Sequence, residues 1–250
     1  MYIDTHCHIS KNDFENIDEI INNIGNNIAI ISGCDHEINK EVVKLIDKYP
    51  NLYGTIGLHP DQADKDMTTA LSFIEQNINN PKIVGIGEIG LDYHYGKENE
   101  LQQKELFIKQ INLALKYNKP IVIHSRDAAL DTYEIIKEYS NIKKILHCYS
   151  YSLEMAKRFI EINTIFGIGG VVTFKNSQNL KNIVKNLDLK YFVLETDSPY
   201  LAPEPFRGQK NEPKNIPIIA AKIAEIKDES IESVLCTTTK TALAQFDLPI

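Results

Sequence analysis

A chain of 250 residues can bury a large core, and 43% hydrophobic with 24% charged residues excludes a disordered or fibrous protein. The net charge of −7 excludes a broad basic face that coats nucleic acid, but not an enzyme that grips one phosphate deep in a site. No apolar run approaches the roughly 18 residues of a membrane span, no basic-then-apolar leader precedes Asp4, and Cys7, Cys34, Cys148 and Cys236 form no CxxC pair, so a cytoplasmic location is expected and no membrane partner.

Short apolar runs alternate with amphipathic stretches from end to end. The strands expected are YIDTHCH (2–8), IAIISG (28–33), LYGTIGL (52–58), KIVGIGE (82–88), PIVIH (120–124), KILHC (144–148), TIFGIG (164–169) and YFVLETD (191–197). Between them Glu15–Ile24, Glu37–Lys48, Glu98–Tyr117 and Leu153–Glu161 carry apolar residues at helical spacing. About eight strand–helix units point to an α/β fold, a (β/α)8 TIM-like barrel spanning 1–250 as a single domain, with a doubly wound open sheet as the competitor. The proline-rich segment from Ser198 to Pro217 follows the last strand, where a barrel builds part of its active-site rim.

The polar residues gather at the C-terminal ends of these strands. Strand one supplies His6 and His8, which share a face by the period of two, and Asp4 falls on that face as well. Strand three leads to His59, strand four to Glu88, strand five to His124, strand six to His147 and strand eight to Asp197. Five of the seven histidines therefore meet at the predicted rim, and scattered core histidines would not concentrate there.

Four histidines and two carboxylates exceed the three protein ligands of a lone catalytic zinc, and they suit two ions bridged by a carboxylate. Glu88 is the expected bridge, with His6, His8 and Asp197 on one ion and His124 and His147 on the other. Histidine-rich ligation favours Zn, Mn, Fe or Co over a hard-oxygen Mg site. Asp197 has a second expected task, accepting the proton of the attacking water, and Asp4 is expected to orient a ligand histidine through its other ring nitrogen. Cys7 and Cys148 should turn to the opposite strand face as packing residues.

Two motifs are decoys. GIGEIG matches GxGxxG, but Glu88 stands inside it and LDYHYG, which follows, is no helix start. Ser125 in HSRD lacks the partners of a nucleophile. Among 27 basic residues only Arg126, Arg158 and Arg207 are arginine. Arg126 and Arg207 fall in rim segments and suit two-pronged contacts to phosphate, with a salt bridge of Arg207 to Glu204 or Glu212 as the alternative. Arg158 reads as a helix-surface residue.

The motifs DTHCH (4–8), GLHP (57–60), GEIGLD (87–92), PIVIHSRDA (120–128), HCYS (147–150), GGVVTFKN (169–176), LETDSPYLAP (194–203) and RGQKNEP (207–213) together resemble the TatD family of metal-dependent DNases, in the expected order over nearly the whole chain. The resemblance implies a barrel of the metal-dependent hydrolase superfamily and two divalent metal ions (zinc, manganese or magnesium) on His6, His8, Glu88, His124, His147 and Asp197. It further implies hydrolysis of DNA phosphodiesters through a metal-bound hydroxide, as a 3′→5′ exonuclease on single-stranded ends, with no obligate protein partner. His59 is then a rim residue near substrate. Asp61, Tyr151 and Thr241 depart from residues common in the family, and bear on substrate preference and rim shape rather than on the metal ligands. A metal-dependent amide or ester hydrolase, such as a D-aminoacyl-tRNA deacylase, is the alternative reading.

Overall fold

A computed structural model describes residues 1–65 and 67–248. Eight parallel strands stand in chain order around one sheet: β1 (Ile3–Cys7), β2 (Ile28–Ser32), β3 (Leu52–Ile56), β4 (Ile83–Asp92), β5 (Ile121–Arg126), β6 (Lys144–Leu146), β7 (Thr164–Ile168) and β8 (Phe192–Leu194). The helices between and after them are α1 (Ile17–Ile24), α2 (His36–Lys48), α3 (Thr68–Asn77), α4 (Glu100–Lys116), α5 (Ala129–Ile136), α6 (Leu153–Glu161), α7 (Gln178–Asn186), α8 (Ile216–Lys227) and α9 (Ile231–Phe246). This is the (β/α)8 barrel, not the open sheet. Among the described residues no helix is long and apolar enough to cross a membrane.

Local chemistry starts several helices. The side chains of Asn16, Asp35, Ser152 and Ser230 each accept a hydrogen bond from the backbone N–H three residues on, satisfying one of the first-turn donors that a helix leaves unpaired. All eight strands contribute to one inner apolar cluster, through Ile3, Ile30, Tyr53, Val84, Val122, Ile145, Ile165 and Val193, and only a barrel interior lets all eight touch. Phe246 and Leu248 join this cluster from the chain's end and close the barrel floor. A larger cluster packs the outer strand faces against the helices.

The seam between β1 and β8 is held by individual bonds. Thr5 Oγ1 donates to the Leu194 carbonyl at 3.0 Å, Asp197 N–H to the His6 carbonyl at 2.9 Å and His8 N–H to the Ser198 carbonyl at 2.7 Å. Asp4 stitches the same seam. Its carboxylate accepts from the Thr196 N–H at 2.9 Å, the Thr196 hydroxyl at 2.5 Å and the His6 N–H at 3.3 Å. It therefore fixes the backbone on both sides of the seam and does not bond the His6 ring, contrary to the expectation from its position on the strand.

Strand lengths differ from the sequence pattern in two informative places. β4 runs on to Asp92 because Gly90, Leu91 and Asp92 still pair with His124, Ser125 and Arg126 of β5. The ladder of β6 stops at Leu146. Cys148 adopts a left-handed backbone (φ 47°), and its N–H turns to the Glu195 carboxylate at 2.5 Å. That turn brings Cys148 into the wall of a cavity beside His124 and Arg126, so it is not the outward packing residue expected; Cys7 is buried as expected.

Candidate metal centre

The period of two along each strand carries the interior from apolar floor to polar rim: Val122 to His124, Ile145 to His147, and Val193 through Glu195 to Asp197. Glu88 reaches the same point from the middle of β4, where the register with β5 is irregular between Ile86 and Ile89. Two glycines permit this close passage. A Cβ on Gly87 would lie 2.7 Å from Val122 Cβ, and one on Gly57 would lie 2.7 Å from the Gly87 carbonyl carbon.

The two oxygens of Glu88 face different partners. Oε1 lies 2.7 Å from His124 Nδ1 and 2.8 Å from His147 Nε2. Oε2 lies 3.5 Å from His6 Nε2 and 3.7 Å from His8 Nε2. Asp197 Oδ1 completes the second group, at 3.7 Å from His6 Nε2 and 3.5 Å from His8 Nε2. The six side chains thus form two donor groups that share one carboxylate.

The donor set fits divalent cations. His6 Nε2 and His8 Nε2 face each other at 3.2 Å, as do His124 Nδ1 and His147 Nε2, and ring nitrogens converge in this way where lone pairs share a cation. Outer partners set which nitrogen faces inward: His8 Nδ1 bonds the Ser32 carbonyl at 3.2 Å, and His124 Nε2 meets Asp92 Oδ2 at 3.2 Å. Clusters of donor atoms close enough to hold an ion are His6–Glu88–His147, His6–His8–Asp197 and His59–Asp92–His124.

Electrostatics point the same way. Burial opposes ionisation of Glu88, yet His147, His124 and His6 override it and hold its carboxyl well below the usual range. Asp197 is half-buried and likewise held low against desolvation, chiefly by His8. Burial, helped by His147, lowers His6 to about 4 and keeps it neutral. Burial also opposes the charge on His8, but Asp197 and Glu88 raise it to about 9. Burial opposes the charge on His124 too, but Asp92 and Glu88 raise it to about 9, so a divalent ion settling among the ionised carboxylates would displace protons from His8 and His124.

Around this centre, His59 comes in from the β3 side. Its Nε2 is 4.0 Å from Glu88 Oε1, its ring stacks edge-on against His124 at 4.4 Å, and its Nδ1 is 3.0 Å from Asp61. Arg126 is exposed and lies over the Tyr95 ring at 5.6 Å; Arg207 lies over Phe174 at 4.3 Å. Glu212 pairs with Lys214, and among the described residues no ion pair joins Arg207 to it or to Glu204. Arg158 packs on Tyr133 and approaches Glu134, far down its helix, as expected of a surface residue. Ser125 is engaged by Thr132 and by the Tyr151 hydroxyl at 2.7 and 2.9 Å, a structural use.

Three residues of the site were not anticipated. Asp92 sits four residues beyond Glu88 on the same strand face, a spacing that marks it. Glu195 lies two before Asp197 beneath His147, its carboxyl pushed well above the usual range by burial and by Asp197. Tyr200 lines cavities on both sides of the centre, and only the path of its loop reveals that.

The family described as TatD related DNase matches residues 3–247. The chain is 36% identical over 252 residues to YabD of Bacillus subtilis, an uncharacterized metal-dependent hydrolase, covering 98% of this chain and 99% of that one. It is 38% identical over 239 residues to the uncharacterized metal-dependent hydrolase MJ1582 of Methanocaldococcus jannaschii, covering 93% and 92%. Among solved structures, the TatD homologue YjjV of Escherichia coli superposes with a TM-score of 0.92 at 27% identity, covering 99% and 98%.

Proposed function

The chain belongs to the TatD family of metal-dependent hydrolases, and from that premise we propose that it cleaves DNA phosphodiester bonds, removing nucleotides from single-stranded 3′ ends with two divalent ions. The observation that carries the reading is the split of Glu88, one oxygen toward His124 and His147 and the other toward His6, His8 and Asp197. In this reading residues 1–250 work as one hydrolase domain.

His6, His8 and Asp197 would hold one ion and His124 and His147 the other, with Glu88 between. Bound there, divalent ions supply Lewis acidity at the phosphoryl oxygens and a water acidic enough to react near neutral pH. Asp197, ionised and half-buried, would take the proton of the attacking water at a carboxylate oxygen. Arg126 offers its planar fork to a non-bridging phosphate oxygen, and Arg207 a second cation further along the rim. His59, edge-on to His124, borders the substrate and limits how the phosphate can tilt.

The test is direct. Purified protein loaded with Mg, Mn or Zn is incubated with a 5′-labelled single-stranded oligonucleotide and, in parallel, with D-aminoacyl-tRNA. Stepwise shortening from the 3′ end supports the reading. Deacylation without strand cleavage overturns it in favour of ester hydrolysis on the same barrel.

A further inference from the structure

Two cavities of about 380 and 370 Å³ flank the centre, both within the range of small-ligand sites, and Tyr200 stands as a wall of each. Their linings differ in charge. The cavity beside β5 and β6 offers the exposed Arg126 guanidinium and the Ser150 hydroxyl, next to His124, His147 and the Asp197 carboxylate of the centre. The cavity beside β1, β2 and β3 has no lysine or arginine in its lining. Its acids are Asp13, Asp35 and Asp61, with Glu88 at its inner end. Asp61 is exposed, and its hydrogen bonds with His59 and Gln62 hold it below the usual carboxyl range against the opposing pull of desolvation, so it carries charge at neutral pH. The bases in its lining are the imidazoles of His8 and His59 beside Glu88, and the Lys210 ammonium is bonded to the Asp13 carbonyl outside the lining.

The remainder of the acidic cavity is suited to an uncharged ligand. Ile9 and Ile38 give apolar wall, Tyr200 a ring, and Asn12 and Gln62 hydrogen-bonding amides. A planar heterocycle with polar edges matches that lining, whereas a phosphate would face like charge in a recess of reduced dielectric.

We infer that the acidic cavity receives the terminal nucleoside of the strand, and that Asp13, Asp35 and Asp61 exclude any phosphate beyond the one being cleaved, while the upstream phosphates run along the Arg126 side. The inference rests on the proposed DNA cleavage and adds its selection of ends. A strand ending in a free 3′-hydroxyl fits. A strand ending in a 3′-phosphate, or one that continues through the site, places extra negative charge among the three aspartates.

Three single-stranded oligonucleotides of one sequence test this with the metal-loaded protein: a 3′-hydroxyl end, a 3′-phosphate end and a closed circle. The expected kcat/KM for the 3′-phosphate end is at least about 30-fold below that for the hydroxyl end, with the circle uncut, the scale of placing like charges together. Asp13→Asn with Asp61→Asn should narrow the gap to about threefold, while Glu105→Gln on the exposed face of α4 leaves it as in the wild type. Raising salt should narrow it in the unmodified protein, which needs no variant to fold. Thymidine 5′-monophosphate should bind more tightly than thymidine 3′,5′-bisphosphate, an order read without turnover. Equal rates for the two ends, a circle nicked at the linear rate, or a gap untouched by both the double variant and salt would overturn the inference while DNA cleavage stands. Failure to cleave any strand removes the proposed function itself, and the inference with it.

Discussion

The two ends of the barrel both bury polar groups, but they treat them differently. At the N-terminal ends of the strands the charges are lysines, and each finds backbone carbonyls. Lys82 reaches the carbonyls of Ile46 and Tyr49 at the end of α2, and the more exposed Lys143 that of Ala244 near the end of α9 as well as the Asp247 carboxylate. Lys144 bonds Ile142 and Ile162, the latter just past α6, and Lys227 bonds Val184 and Leu187 at the end of α7. All of those carbonyls but that of Ile142 lie at the partly negative ends of helices, so each ammonium has partners within the fold. At the C-terminal ends the groups are imidazoles and carboxylates that face one another. His6 Nδ1, His147 Nδ1 and Glu195 Oε2 find no hydrogen-bond partner. One end supplies a partner to each of these charges and serves stability. The other is complementary to a cation, which separates a structural polar layer from a functional one.

The largest break in this comparison should come from Glu88→Gln. The amide keeps the size but removes the charge that balances two cations, so metal analysis after dialysis should show at least one equivalent lost. Turnover should fall at least about 10³-fold, with circular dichroism unchanged. Unchanged metal stoichiometry with near wild-type activity would rule out the bridge.

Arg126→Lys should come next, losing about 1–3 kcal/mol of transition-state stabilisation on an oligonucleotide, because an ammonium cannot make the two parallel bonds of a guanidinium. Arg158→Lys, on its helix surface, should be silent. Equal kcat/KM for both variants and the wild type would sink the phosphate role of Arg126. Smaller again is Asp92→Asn, which leaves a hydrogen-bonding oxygen but removes the charge that steadies His124. Metal affinity should weaken by about tenfold, read by competition with a chelator, and Asp92→Glu should recover part of it. An unaltered affinity would make Asp92 a bystander.

Much of the functional end is legible because barrel strands bring a histidine or a carboxylate to the rim at a period of two: His124, His147 and Asp197 each close a mostly apolar strand, and His6 and His8 share one face of the first. The misreadings arose where that period ends. The outward face expected of Cys148 requires β6 to continue, but the Glu195 carboxyl captures its N–H and turns it. Asp4 lies on the histidine face as expected, yet its partner is Thr196, 192 residues away, and no local pattern announces a seam closed by side chains. Asp92 and Glu195 were within reach of the same counting, at four and two residues from Glu88 and Asp197. Tyr200 was not, because its place between the cavities depends on the course of a proline-rich loop.

The comparison can also be sharpened from its quiet end, at Lys144. Its side chain is fully buried, and burial lowers its pKa to about 8 even with two carbonyls in contact. A folded-state value below the unfolded one, near 10.4, means that the unfolded chain binds more protons between those two limits. Stability should therefore rise with pH from about 8 to about 10 and lie flat below 8 as far as this group is concerned. Lys144→Met keeps the length and apolar stem and removes the titration, so the difference in unfolding free energy between variant and wild type should shrink or grow by about 1–2 kcal/mol across that window, in favour of the wild type at the alkaline end. Urea unfolding at pH 7, 8, 9 and 10 measures it. Metal content and oligonucleotide cleavage should stay at wild-type values, since Lys144 lies at the opposite end of β6 from His147. A parallel pH profile for the two proteins would show that the ammonium is fully compensated by its carbonyls, and a loss of bound metal in the variant would show that the two ends of the barrel are not independent.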